Sequence, residues 1–291
     1  MSAGFKVAAA PISWGVCEVP GWGRVLEADH VLAEMAALGL RATELGPPGY
    51  LSDPRTALGR HGLDLVGGFL AVALHDKENA QAAVDAADES ADRMARCGGE
   101  VVVLAAATGL AGYDQRPELD DQQWRTLVET ADRIAEAVAA HGLRTVLHPH
   151  VGTHVETEAE VERFIADSPM PLCLDTGHLL IGGTDPVALA RRHPARIGHI
   201  HLKDVRSDLA ERVRAGAVPF AAAVAEGLFV PLGDGDVDTE SMVRSVHDAG
   251  YRGWYVLEQD TALDERSPVD VPRRDTARSL AYLDGVFSRL G

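Results

Sequence analysis

Residues 135–149 read AEAVAAHGLRTVLHP. An amphipathic, alanine-rich helical stretch comes first. Gly142 follows where a helix C-cap belongs, because glycine enters the left-handed conformation that closes a helix without strain. A short apolar run then ends on a histidine. The same cadence recurs at 33–45 (AEMAALGLRATEL), 57–69 (ALGRHGLDLVGGF), 91–104 (ADRMARCGGEVVVL) and 246–259 (VHDAGYRGWYVLEQ), with Gly39, Gly62, Gly98 and Gly250 in the capping place. The runs after the glycines are mostly apolar rather than alternating, as expected of parallel strands buried on both faces.

Strands are expected at Val7–Ser13, Ala42–Leu45, Asp64–Phe69, Val101–Ala105, Thr145–His148, Leu172–Asp175, His199–Leu202 and Trp254–Glu258, with helices between them and a last helix at Asp275–Leu290. Eight β/α units and a closing helix predict one (β/α)8 TIM barrel rather than an open, doubly wound sheet. No Gly-rich dinucleotide fingerprint follows the first strand. No linker divides the chain, so residues 1–291 are read as one domain. The least regular stretch, Arg206–Asp238, is expected to be a long loop with a short helix near Pro219–Glu226.

With 46% hydrophobic and 24% charged residues, the chain can fill a large core. A formal net charge of -17 would repel a phosphate backbone or an anionic bilayer, which excludes nucleic acid and membrane surfaces as expected partners. Three widely spaced cysteines, Cys17, Cys97 and Cys173, form neither a disulfide framework nor a thiolate zinc site. No apolar stretch reaches about 18 residues and the first residues do not read as an export signal, so a cytoplasmic protein is expected.

Barrel enzymes keep their chemistry at the C-terminal ends of strands. Here those ends supply Glu44, His148, His150, Asp175, His178, His201, Lys203, Asp204 and Glu258. Side chains alternate along a strand, so His199 and His201 share a face, as do Val256 and Glu258. Imidazoles and carboxylates converging from neighbouring strands suit Mn²⁺, Co²⁺ or a similar ion, and no thiolate demands a softer metal. Each residue also has a plainer role. Asp175 in DTGH could simply cap the next helix. His61, His141, His193 and His247 belong at polar helix ends, and VDAADESADRMAR (84–96) on a solvated helix face. Five consecutive ionisable strand endings nevertheless exceed what packing explains, since buried unpaired charge is costly.

The motifs APISWG (10–15), HPHVGTHVETEAEVERF (148–164), LDTGHLLIGGTDP (174–186), HIHLKDV (199–205), VPLGDGDVD (230–238) and GYRGWYVLEQD (250–260) resemble the xylose-isomerase-like superfamily of sugar isomerases and epimerases, and within it the inosose (2-keto-myo-inositol) dehydratases. The resemblance implies that four strand-end residues bind one divalent metal, Mn²⁺ or Co²⁺, with Mg²⁺ or Zn²⁺ admitted. Carried over, they are His148, Asp175, His201 and Glu258. His150 shares the parity of His148, so the fourth ligand stays open between them. Trp14, as an apolar wall, Glu44, His150 and Asp204 would contact substrate, and Glu258, His178 and Lys203 would move protons. Superfamily epimerases generally carry Glu at the position of His148, pairing it with the last-strand Glu. The histidine points instead to a lyase that removes an α-proton and a β-hydroxyl from a keto-inositol or related keto-sugar.

Three rivals remain: a ketose epimerase or isomerase on the same metal, the apurinic endonuclease branch with its several zincs, and a silent sugar- or partner-binding member. The net charge and the thin histidine supply disfavour the endonuclease. Partners are then a small polyhydroxylated ketone and, as in many superfamily members, further copies of the chain.

Overall fold

The computed structural model describes residues 4–17 and 19–290. Its strands are β1 (Lys6–Ala9), β2 (Ala42–Thr43), β3 (Asp64–Leu65), β4 (Gly67–Val72), β5 (Val101–Ala106), β6 (Arg144–Leu147), β7 (Leu172–Asp175), β8 (Ile197–Leu202), β9 (Asp204–Val205), β10 (Phe229–Val230) and β11 (Trp254–Leu257). The helices between them are α1 (Ala28–Ala37), α2 (Pro54–His61), α3 (Ala80–Arg96), α4 (Asp121–Ala140), α5 (Glu158–Asp167), α6 (Thr176–Ile181), α7 (Pro186–Arg192), α8 (Ser207–Arg214), α9 (Phe220–Ala225), α10 (Thr239–Asp248) and α11 (Val271–Ser288).

Nine of the strands form one sheet in the order β3-β2-β1-β11-β8-β7-β6-β5-β4, paired in parallel throughout. Its two edge strands are halves of one stretch, separated only by Val66. The Val66 N–H donates to the Thr43 carbonyl on one side, while its own carbonyl accepts from Glu100 and Val101 on the other. The sheet therefore closes on itself as a barrel of eight strand positions, the third being split. An expected strand at Asp64–Phe69 becomes β3 plus β4 for this reason.

Local chemistry fixes the helices. Asp120 and Gln123 cap α4 reciprocally, and Trp124, Leu127, Ala131, Ile134 and Val138 bury one face of it. Gly39, Gly62, Gly98, Gly142 and Gly250 all have φ between 65° and 93°, the left-handed closure their positions predict.

Alternation divides the core into two layers. Ala8, Ala42, Val101, Val103, Val146, Cys173 and Val256 form a cluster of small side chains, while their neighbours Val102, Leu104, Leu147, Leu172, Leu174 and Leu257 join the large cluster. The first set fills the barrel and the second packs under the helices. Continuing the interior parity one step upward gives Glu44, His148, Asp175 and Glu258, with His199 and His201 on the same face of β8. Packing and chemistry are thus one row of positions.

Two local expectations change. The first strand stops at Ala9, since Pro11 opens a 3-10 turn over Pro11–Trp14 instead of extending to Ser13. The stretch after β8 is more ordered than a loop: it carries α8 as well as α9, and β10 returns antiparallel to β9. Among the described residues no helix is long and apolar enough to cross a membrane.

Candidate metal centre and active site

Four side chains from four strand ends meet above the interior layer. Asp175 Oδ2 lies 3.5 Å from His148 Nε2 and 3.6 Å from His201 Nδ1, and His201 Nδ1 lies 3.1 Å from Glu258 Oε2. The β7/β8 register sets Asp175 beside His201. Asp175 divides its two oxygens between two tasks. Its Oδ1 accepts the N–H groups of Gly177 and His178 at the start of α6, both at 2.9 Å, so it is indeed a cap. Its Oδ2, fully buried, makes no hydrogen bond, and neither does Nδ1 of His201. Buried polar atoms left unpaired in this way call for a shared partner.

The tautomers are set from outside. His148 Nδ1 lies 2.8 Å from the Pro149 carbonyl and can only donate to it, which leaves the Nε2 lone pair facing Asp175. His201 donates its Nε2 proton to Glu44 Oε1 at 3.0 Å, so Nδ1 is the ring nitrogen turned toward Asp175 and Glu258, where a bound cation would take the place of its proton. The same Glu44 oxygen accepts from His199 Nε2 at 2.8 Å. A carboxylate that orients a ligand imidazole from behind is a recurrent feature of metal sites. His150 is likewise fixed, its Nδ1 donating to the Val151 carbonyl at 2.7 Å. Its ring stands 3.7 Å from that of His178 and it belongs to none of the groups whose atoms could share an ion, whereas His148 does.

Charge balance gives the same answer. Glu44, Asp175, Glu258 and Asp260 are all buried, and Lys203 is the one buried lysine among them. Lys203 Nζ lies 2.6 Å from Glu258 Oε2, 2.7 Å from Asp260 Oδ1 and 3.4 Å from Asp175 Oδ2. Burial opposes its charge, but those three carboxylates hold it protonated, well above the ordinary lysine range. Burial also opposes ionisation of Asp175, yet Lys203 and the surrounding imidazoles keep it well below its usual value. Glu258 is held at about 2, where His201 and Lys203 outweigh its burial. Burial pushes His150 down to about 3 and His178 also down, so both rings are neutral. Burial opposes a charge on His201 too, yet Cys173, Glu258, Glu44 and Asp175 hold it well above its usual value. Without a cation, Lys203 and that imidazolium are what balance the four carboxylates, and a deficit remains. A divalent cation held by Asp175, His201, Glu258 and His148 fits both the deficit and the oxygen and nitrogen donor set.

A cavity of about 250 Å³ opens onto this floor and is lined by Glu44, His148, His150, His201, Lys203, Glu258 and Asp260, with Trp22, Phe69, Tyr113 and Phe220 among its walls. Glu44 thus reaches the lining, with its Oε1 engaged by two histidines. His178 lies just behind His150, its Nε2 without a hydrogen bond and 3.9 Å from Asp260 Oδ2.

Two expected substrate contacts do not reach the cavity. Trp14 is fully buried in the main core, its Nε1 donating to Glu34, because the turn begun at Pro11 swings it outward. Asp204 accepts the N–H groups of Val205, Gly233, Gly235 and Val237 and ties down the segment after β8. Conversely, Asp260 and His199 hold central positions that the strand-end reading passed over. Asp260 lies two residues beyond Glu258, on the same parity, and that spacing was the available signal.

The family model described as xylose isomerase-like TIM barrel matches residues 32–284. An inosose dehydratase of Geobacillus kaustophilus (strain HTA426) is 35% identical over 275 residues, covering 89% of this chain and 89% of that protein. A rhizopine catabolism protein of Rhizobium meliloti is 34% identical over 278 residues, 91% of this chain and 84% of its own length. Among solved structures, an L-ribulose 3-epimerase superposes with a TM-score of 0.73 at 18% identity, covering 98% of this chain and 95% of that one. With most of its length matched by the family model and a close-packed row of imidazoles and carboxylates at the strand ends, the chain belongs to the xylose isomerase-like TIM barrel family.

Proposed function

We propose that the protein is a metal-dependent dehydratase of a keto-inositol or related keto-sugar, as the similarity to inosose dehydratases suggests. The observation that carries the reading is that Asp175, His201 and Glu258, with His148 beside Asp175, stand against a protonated Lys203 at the floor of a cavity lined by His148, His201, Lys203 and Glu258. A divalent cation held there supplies Lewis acidity to a substrate carbonyl and acidifies the neighbouring C–H.

The chain's own groups complete the elimination. Neutral His150, its Nδ1 proton committed to the Val151 carbonyl, presents Nε2 as the acceptor of the α-proton. Glu258 is the weaker candidate, since Lys203 and His201 already hold its carboxylate. The C–H electron pair becomes the new C=C bond as the β C–O bond breaks, and the Lys203 ammonium gives the proton that completes water. Asp260 and Glu258 aim that ammonium, and His178 supports the ring of His150 from behind. The epimerase alternative needs a second carboxylate at the end of β6, and that position is His148. Mn²⁺ or Co²⁺ suits the donor set, and three unbridged cysteines suit a reducing, cytoplasmic setting.

Incubating the metal-loaded protein with a keto-inositol in D2O tests the reading. A product lighter by one water is expected. Return of a deuterated isomer at unchanged composition would establish the epimerase instead. Lys203→Met should lower kcat by about 10²-fold or more while metal content is retained, and full activity in that variant would remove Lys203 from the chemistry.

A further inference from the structure

We infer that the substrate is a ring ketone bearing an apolar O-alkyl or O-aryl group, seated on the cavity rim above the catalytic floor; this rests on the keto-sugar dehydratase reading and narrows its substrate class. The lining divides by depth. Every carboxylate, imidazole and amine in it is buried, from His201 at 1% exposure to Glu258 and His150 at 9%. The described lining positions that reach solvent are Ile12, Pro47, Pro48, Phe69, Leu70 and Ala71, from the turn after β1, the segment after β2 and strand β4, together with Gly46, Cys17 and Tyr113. Among the described lining residues there is no Asn, Gln, Ser, Thr or Arg. The polar tips at rim level are the Tyr113 hydroxyl and the Cys17 sulfur, which already accepts the Val19 N–H at 3.5 Å.

The floor can serve a carbonyl and a few hydroxyls through Lys203, His150, Asp260 and a bound cation. Apart from the Tyr113 hydroxyl and the Cys17 sulfur, the rim side chains offer the rest no polar partner. Outward hydroxyls of an unsubstituted polyol would give up water against proline, leucine and phenylalanine side chains without gaining a partner, which costs affinity. An alkyl or aryl ether at the same ring position would instead remove its own apolar surface, and that of the rim, from water. The cavity is amphipathic, and a molecule with one polar and one apolar side matches it.

The metal-loaded full chain should be compared on a keto-inositol and on its O-methyl and O-benzyl ethers at each ring position, reading Kd by calorimetry and water loss by mass. One benzyl ether is expected to bind, and to show a KM, about tenfold or more below the unsubstituted ketone. The rim variant Pro48→Ser/Ala71→Asn should abolish that advantage while retaining the wild-type metal content and Tm. If an ether binds more tightly yet loses no water, the rim assignment stands and the dehydratase reading falls. If no ether binds more tightly than the plain ketone, or the advantage persists in the rim variant, the inference is overturned, and water loss from the plain ketone would leave the dehydratase reading intact.

Discussion

Glu44 shows how one carboxylate oxygen can govern a site. Its Oε1 accepts from both His199 and His201, and this is what turns the His201 Nδ1 inward. Glu44→Gln keeps the volume but exchanges part of the acceptor for a donor, so His201 loses its fixed tautomer. Metal affinity should fall about 10- to 100-fold, read by titrating the metal-stripped protein with Mn²⁺; an unchanged Kd would confine Glu44 to packing. The sequence exposes Glu44 as a polar strand end but not its partner, because alternation gives the face on which a side chain lies and not the neighbour it meets across 155 residues. The same limit hides Asp260, whose task depends on Lys203 from another strand. It also misplaces Trp14, since nothing within APISWG says that the chain turns at Pro11.

Among the elements, the segment after β8 departs most from its sequence reading. The glycines of VPLGDGDVD suggest a loose loop, whereas Asp204 gathers four backbone N–H groups from Val205, Gly233, Gly235 and Val237 and pins β10 against β9. Gly235 is required there: a Cβ would lie 2.3 Å from Asp204 Oδ1. This anchored segment carries Phe220 into the cavity wall, and the Phe220 N–H is accepted by Asp114 from the segment after β5. Asp204→Ala would strand the buried N–H groups of Val205 and Val237, each worth about 1–3 kcal/mol, and free the half-buried ones of Gly233 and Gly235 to water. A loss near 3 kcal/mol is expected in urea unfolding, with substrate KM raised more than kcat is lowered. A variant as stable as wild type would show that water replaces the carboxylate. The regular units were legible because helix caps and apolar runs are local signals. This anchoring was not, since one aspartate has to meet glycines about 30 residues away.

Across the whole molecule, the candidate ligands sit on four strands spread along the second half of the chain: His148 follows β6, Asp175 ends β7, His201 lies in β8 and Glu258 follows β11. β11 in turn pairs with β1, so these strands include the ones that bring the two chain ends together around the barrel. Closure of eight units could be read from their count, but the energetic strain at the centre could not: several carboxylates are buried together in a chain whose formal net charge is already -17. Each must be desolvated on folding, and Lys203 balances only part of that charge. A cation that binds the folded barrel and not the unfolded chain therefore stabilises it by mass action, about 2.7 kcal/mol at a hundredfold excess over Kd. For a chain of this size that corresponds to a rise in Tm of roughly 5 °C or more. Mn²⁺ or Co²⁺ added to chelator-stripped protein should produce the rise, and Asp175→Ala, which removes the central oxygen, should abolish it. A Tm in the stripped protein that is indifferent to metal would mean that the buried carboxylates are balanced by protons, and that the strand-end cluster is not a metal centre.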